Sequence, residues 1–169
     1  MLIQEKIGHL ADFATGDRVI DPLPVEWYET TKRILRKPTR GGRDMALRFL
    51  RESPALADGD ILYVDHRFII AVEILPCDAM TIKMTGPPAI AAACYEIGNR
   101  HLPLFIEKDE LLAPFEEPLL RWLTASGYNP VREQRKLLYP LRSTIAAHVH
   151  SDGGNSLFSK ILQITTPRP

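Results

Sequence analysis

A chain of 169 residues has room for one domain or two small ones. Its 45% hydrophobic and 25% charged content is ordinary for a globular protein, and 21 basic against 21 acidic side chains leave no global field for nucleic acid or an anionic membrane. No segment approaches the roughly 18 apolar residues of a membrane span.

At the start, Gln4, Glu5 and Lys6 interrupt any apolar run of the kind a signal peptide needs. The two cysteines, Cys77 and Cys94, lie too far apart for a Cys-x-x-Cys site. The expectation is a cytoplasmic protein with both thiols reduced. Residues 1–76 read as mostly β, with short apolar runs between turn-formers at Asp21-Pro22-Leu23-Pro24, Pro38 to Gly42 and Asp58-Gly59-Asp60. Trp27-Tyr28, Ile34-Leu35, Ile61 to Val64 and Phe68 to Val72 suit strands. Arg43 to Arg51 contains fair helix formers, yet Met45, Leu47 and Phe49 alternate as in a strand. Lys32, Arg33, Arg36, Lys37, Arg40 and Arg43 form a local basic cluster, either a solvated strand face or a partner-docking patch. His9 and His66 have no partners at ligand spacing and read as ordinary surface residues.

Pro76-Cys77-Asp78 is the expected domain boundary, with a soft metal ligand at Cys77 left open. Beyond it the pattern is strand (79–84), helix (87–98), two strands (102–107 and 110–114), helix (116–126) and strand (130–138). Pro88 suits a first helical turn, and Ile90, Ala93, Cys94 and Ile97 share one helical face, which puts Cys94 in the core. Gly98-Asn99 are expected to end that helix in the left-handed conformation. Glu107 to Glu110 reads as a hairpin, and Glu116 and Glu117 suit the N-terminus of the second helix, with Gly127 as its stop. This order predicts a ferredoxin-like βαββαβ unit, two helices over one face of a four-stranded antiparallel sheet. The fold class is thus α+β, with domains at 1–76 and 77–147 and a tail at 148–169.

Two features carry chemistry. His101 sits at the corner between the first helix and the next strand, where it is either a hydrogen-bonded structural residue or a ligand. His148-Val149-His150 is either a coincidence of sequence or a ligand pair: alternate side chains of an extended segment share a face, so both imidazoles can reach one ion, and nickel, zinc and copper all suit them. Beyond this pair, residues 156–166 read as either a short docking helix or a frayed tail.

Tyr95-Glu96-Ile97-Gly98-Asn99-Arg100-His101-Leu102-Pro103 resembles the Gly-Asn-Arg-His signature of the UreE family of urease accessory proteins. Lys32 to Lys37 with Gly42-Arg43-Asp44, then Asp58 to Tyr63, and Asp109 to Leu112 resemble further family blocks in the same order, from about residue 25 to 150. The resemblance implies a β domain at the start, hence a strand at Arg43 to Arg51, and a ferredoxin-like domain after it. It also implies a nickel metallochaperone rather than an enzyme, with the urease accessory GTPase and the apo-urease complex as partners. Two tail histidines match where the family carries histidine-rich ends, although many members have far more. Where some relatives place an additional His-x-His, this chain has Leu111-Leu112-Ala113-Pro114.

One histidine does not hold a divalent ion tightly, and a homodimer whose twofold axis passes His101 presents it twice. The expected metal ligands are therefore His101, His148 and His150, with Ni2+ as cargo and Zn2+ or Cu2+ able to substitute. A metallohydrolase would need a carboxylate base at an open metal site, and no His-Glu-x-x-His motif supplies one. A metal-independent adaptor, holding a partner strand by edge pairing to the first domain, is the alternative.

Overall fold

The structure is a computed structural model that describes residues 1–49, 55–83 and 86–141. The described residues are mostly strands, with two α-helices among them, which makes the fold α+β.

The first half holds β1 (Leu2–Ile3), β2 (Gly8–His9), β3 (Val19–Val25), β4 (Ile34–Pro38), β5 (Asp44–Arg48), β6 (Asp60–Val64) and β7 (Phe68–Ile74). They form a three-stranded sheet, ordered β1-β5-β4, and a four-stranded sheet, ordered β2-β6-β7-β3. Alternation decides which side chains meet between them: Leu23, Val25, Met45, Leu47, Ile70 and Val72 point inward and are buried in one cluster. Pro22 and Pro24 are tolerated because β3 is an edge strand. The expected strand is confirmed at Asp44–Arg48, where Met45 and Leu47 are buried on one face while Asp44 and Arg48 on the other are exposed.

Trp27-Tyr28 departs from expectation. These residues form a 3-10 turn, Trp27–Glu29, and the Glu29 carboxylate accepts from the Glu26 backbone N–H at 3.1 Å. The turn sets the Trp27 indole between the first-half core and Phe105, which it meets edge to face with centroids 5.7 Å apart.

The second half runs β8 (Cys77–Lys83), α1 (Pro87–Asn99), β9 (Phe105–Glu107), β10 (Glu110–Pro114), α2 (Glu117–Ala125) and β11 (Val131–Arg135). Its sheet has the order β11-β8-β10-β9, every neighbouring pair antiparallel. Met80, Ile82, Leu111 and Ala113 face Ala93 and Ile97 of α1 and Leu119 and Leu123 of α2. The other face places Ala79, Phe105 and Leu112 with Leu137, and Trp27 packs against that cluster.

Two expected strands are shorter than their apolar runs. The expected strand at 102–107 begins only at Phe105, because Leu102 still bonds to α1 and Pro103 has no N–H. That at 130–138 ends at Arg135, where the chain leaves the ladder and crosses the sheet. On the way Lys136 pairs with Asp58 at 3.1 Å, Leu137 enters the cluster beside Trp27, and Leu138 packs on the first-half core. At the far edge the Ile106 N–H donates to the Tyr139 carbonyl at 3.1 Å and the Leu141 N–H to the Leu104 carbonyl at 2.7 Å.

Candidate metal centre

Helix α1 ends at Asn99, one residue later than expected, and its left-handed residue is not Gly98 or Asn99. Gly98 lies inside the helix, Arg100 caps it, and the residue in the left-handed region is His101, at φ 56°. The His101 N–H donates to the Gly98 carbonyl at 2.9 Å and the Leu102 N–H to the Ile97 carbonyl at 3.4 Å. These two bonds complete a Schellman motif, and they put an L-residue where glycine is favoured. The conformation costs a non-glycine residue about 1 kcal/mol. Two buried residues, Ile97 and Leu104, grip the corner from both sides and hold it there.

The imidazole that this corner presents is exposed, and no side chain among the described residues bonds to its ring. It stands just past the C-terminus of a 13-residue helix, whose dipole favours a cation. Beside it, Arg100 lies 5.4 Å from the Trp122 ring centroid and 4.0 Å from the Glu96 carboxylate, which braces the cap. The outer face of α1 exposes Ala91, Ala92 and Gly98, with Tyr95 69% exposed.

Among the described residues no group of three or more His, Cys, Asp or Glu side chains is gathered to hold a metal ion. His101 alone of the expected ligands is described; His148 and His150 lie outside the described residues. Their point of departure is defined, however. Phe105 pairs antiparallel with Pro140 and Leu104 with Leu141, so the chain leaves running back along the segment that leads to His101. Leu104 is three residues after His101, and His148 is seven after Leu141. Seven residues span at most about 25 Å. Sequence reasoning missed this return path, because only long-range pairing reveals it.

The remaining candidates resolve differently. His9 is a structural residue: its Nδ1 accepts from the Ala11 N–H at 3.1 Å, and its Nε2 lies 2.8 Å from the Asp58 carbonyl. With Nδ1 accepting, Nε2 carries the proton and donates. His66 is exposed, as expected. Cys77 is half-buried near Trp27, and burial, with the charges of Glu26 and Asp78, pushes its thiol up. Burial likewise pushes up Cys94, which packs on the α1 side of the core. Both stay thiols rather than metal-ready thiolates at neutral pH.

The basic cluster is largely paired. Glu29 takes Lys32 and Lys37, Asp44 takes Arg36, Glu73 takes Arg40, and Asp21 takes Arg43. No helix among the described residues is long and apolar enough to cross a membrane.

Comparison with known proteins adds an independent line. Two family models match: the N-terminal domain of the UreE urease accessory protein over residues 3–75, and its C-terminal domain over residues 78–155. The chain is 45% identical over 164 residues to the urease accessory protein UreE of Flavobacterium johnsoniae, covering 97% of this chain and 99% of that one. With the same protein of Actinobacillus pleuropneumoniae it shares 37% over 149 residues, 86% and 80% of the two chains. With that of Helicobacter pylori it shares 40% over 131 residues, 75% and 76%.

Proposed function

The chain belongs to the UreE family of urease accessory proteins, and from that premise we propose that it carries Ni2+ to the urease active site as a homodimer with a metal site shared between chains. Membership makes it an accessory chaperone of two-domain architecture that acts in urease maturation, and not an enzyme. The observation that carries the proposal is His101, held exposed in a left-handed corner beside the point where the tail departs.

In this reading two His101 rings face each other across a twofold axis, and His148 or His150 completes the sphere from a tail. The small residues on the outer face of α1 support close approach of a second copy. A site made of one rigid residue and one tail segment binds the ion and yields it to a partner. Zn2+ or Cu2+ substitutes, because imidazole suits all three.

The division is 1–76 for partner binding, 77–147 for metal and dimer, and 148–169 for the tail. The strand order β11-β8-β10-β9, with both helices on one face, supports the ferredoxin-like assignment of the second domain. The partners are the urease accessory GTPase and the apo-urease complex, in the cytoplasm.

Reconstitution tests the function. Nickel-loaded protein is mixed with the GTPase and the apo-urease complex, with a chelator to trap free ions. Urea hydrolysis should appear with wild type and fail with His101→Ala. Equal activation by the variant would leave the adaptor reading in its place.

A further inference from the structure

The three-stranded sheet of the first half has an open side. Pairing of β4 with β5 alternates: the Phe49 N–H donates to the Arg33 carbonyl at 3.0 Å and the Thr39 N–H to the Arg43 carbonyl at 2.9 Å. Odd-numbered residues of β4 therefore bond inward, and the N–H and C=O groups of Ile34 and Arg36 point away from the sheet. Neither residue's backbone bonds to another strand among the described residues.

Two other sheet edges are guarded. Strand β3 carries Pro22 and Pro24, and its Pro22 carbonyl already accepts from the Arg40 N–H at 2.8 Å. Strand β11 is polar along nearly its whole length. Strand β4 has a proline at one end only and shows Ile34 at 73% exposure at the other. An exposed apolar residue on a bare edge is what natural sheets usually avoid.

The face next to this edge is patterned. Leu2 pairs with Ala46 and Ala46 with Arg36, while Ile34 pairs with Arg48. Leu2, Ala46 and Ile34 thus form an apolar diagonal with Arg36 and Arg48 at its flanks. Leu2 is 58% exposed. On this face Asp44 takes Arg36, and Arg48 has no carboxylate partner among the described residues, so the face keeps a positive excess.

We propose that the β4 edge binds an extended segment of a partner protein in which acidic and apolar side chains alternate. The segment adds a strand beside Ile34 and Arg36, using their outward N–H and C=O groups. Its acidic residues meet Arg36 and the bases at the strand ends, and an apolar residue covers Ile34. A second copy of this chain does not suit the edge. Residues 33–38 contain Arg33, Arg36 and Lys37 and no acid, so β4 paired to β4 brings like charges together. The proposal gives the first domain's partner-binding role a place and a ligand chemistry, and it is independent of the nickel site.

The probe is a synthetic eight-residue peptide of alternating Glu and Val, with a Lys–Val peptide and a backbone N-methylated Glu–Val peptide as controls. Nuclear magnetic resonance of the full chain reads amide shifts and exchange at Ile34 and Arg36. The Glu–Val peptide should slow both amides about tenfold, and neither control should. Ile34→Pro removes an N–H that the protein's own ladder does not use, and should weaken binding by about tenfold or more. Arg36→Glu should shift preference toward the Lys–Val peptide.

Equal binding of both charged peptides, or perturbation elsewhere with Ile34 and Arg36 unmoved, would overturn the proposal. So would light scattering that shows chains associating through this edge. Nickel titration of Ile34→Pro reads the site at His101 alone, so a failure here stays distinct from a failure of the metal reading.

Discussion

The Leu141 backbone N–H donates to the Leu104 carbonyl at 2.7 Å, which fixes where the C-terminal segment leaves the sheet, three residues from His101. That one bond sets the last described residue beside the segment that follows His101. Deleting everything from His148 onward should weaken nickel binding more than tenfold, more than about 1.4 kcal/mol, without abolishing it. Isothermal titration reads this directly, and an unchanged affinity would make the tail a bystander.

The left-handed corner gives a second, less usual prediction. Because His101 occupies a position that favours glycine, His101→Gly should raise stability by about 0.5–1 kcal/mol while removing the metal site. His101→Ala should lose the metal and gain no stability, since alanine keeps the strain. Urea unfolding of the three metal-free proteins distinguishes them. A destabilised His101→Gly would mean that the imidazole holds the corner together.

Much of this was legible in the sequence. The periodicity of Ala93 and Ile97, the Glu107 to Glu110 turn and the proline at the start of α1 all read correctly, because local pattern decides them. The cap did not: Gly98 and Asn99 are the better left-handed formers, yet the bonds to Gly98 and Ile97 come from the His101 and Leu102 N–H groups and put the left-handed residue at His101. Trp27 looked like a strand residue because its burial was visible and its turn was not. The crossing at Lys136 to Leu141 depends on a pairing between segments some 35 residues apart, and no local signal announces it.

Trp27 and Phe105 join the two halves, so Trp27→Ala should uncouple them. The edge-to-face contact contributes about 1 kcal/mol beyond the area it buries. Calorimetry should show wild type melting in one transition and the variant in two, with total stability lower by about 2–3 kcal/mol for the half-buried ring. A single, unshifted transition would mean that Lys136–Asp58 and Leu138 suffice.

Acid stability should depend on Asp21. Burial pushes its carboxyl up, but the Thr39 hydroxyl, the Gly41 N–H and the Arg43 guanidinium, at 2.6, 2.8 and 2.5 Å, outweigh burial and hold it below the usual range. A lowered folded value stabilises above the unfolded carboxylate pKa of about 4 and is lost as pH falls through the folded one. Asp21→Asn should cost about 1.5–3 kcal/mol at neutral pH and much less in acid. Denaturant midpoints across pH test this; an equal loss at every pH would contradict it.

The shared site is tested most directly by stoichiometry. Nickel is titrated into wild type and His101→Ala, with mass determined by light scattering in the same buffer. Two His101 rings on one ion predict saturation at about one tight nickel per two chains, a shift toward dimer on binding, and loss of the tight site in the variant. One tight nickel per chain, or unaltered binding by His101→Ala, would contradict the shared site.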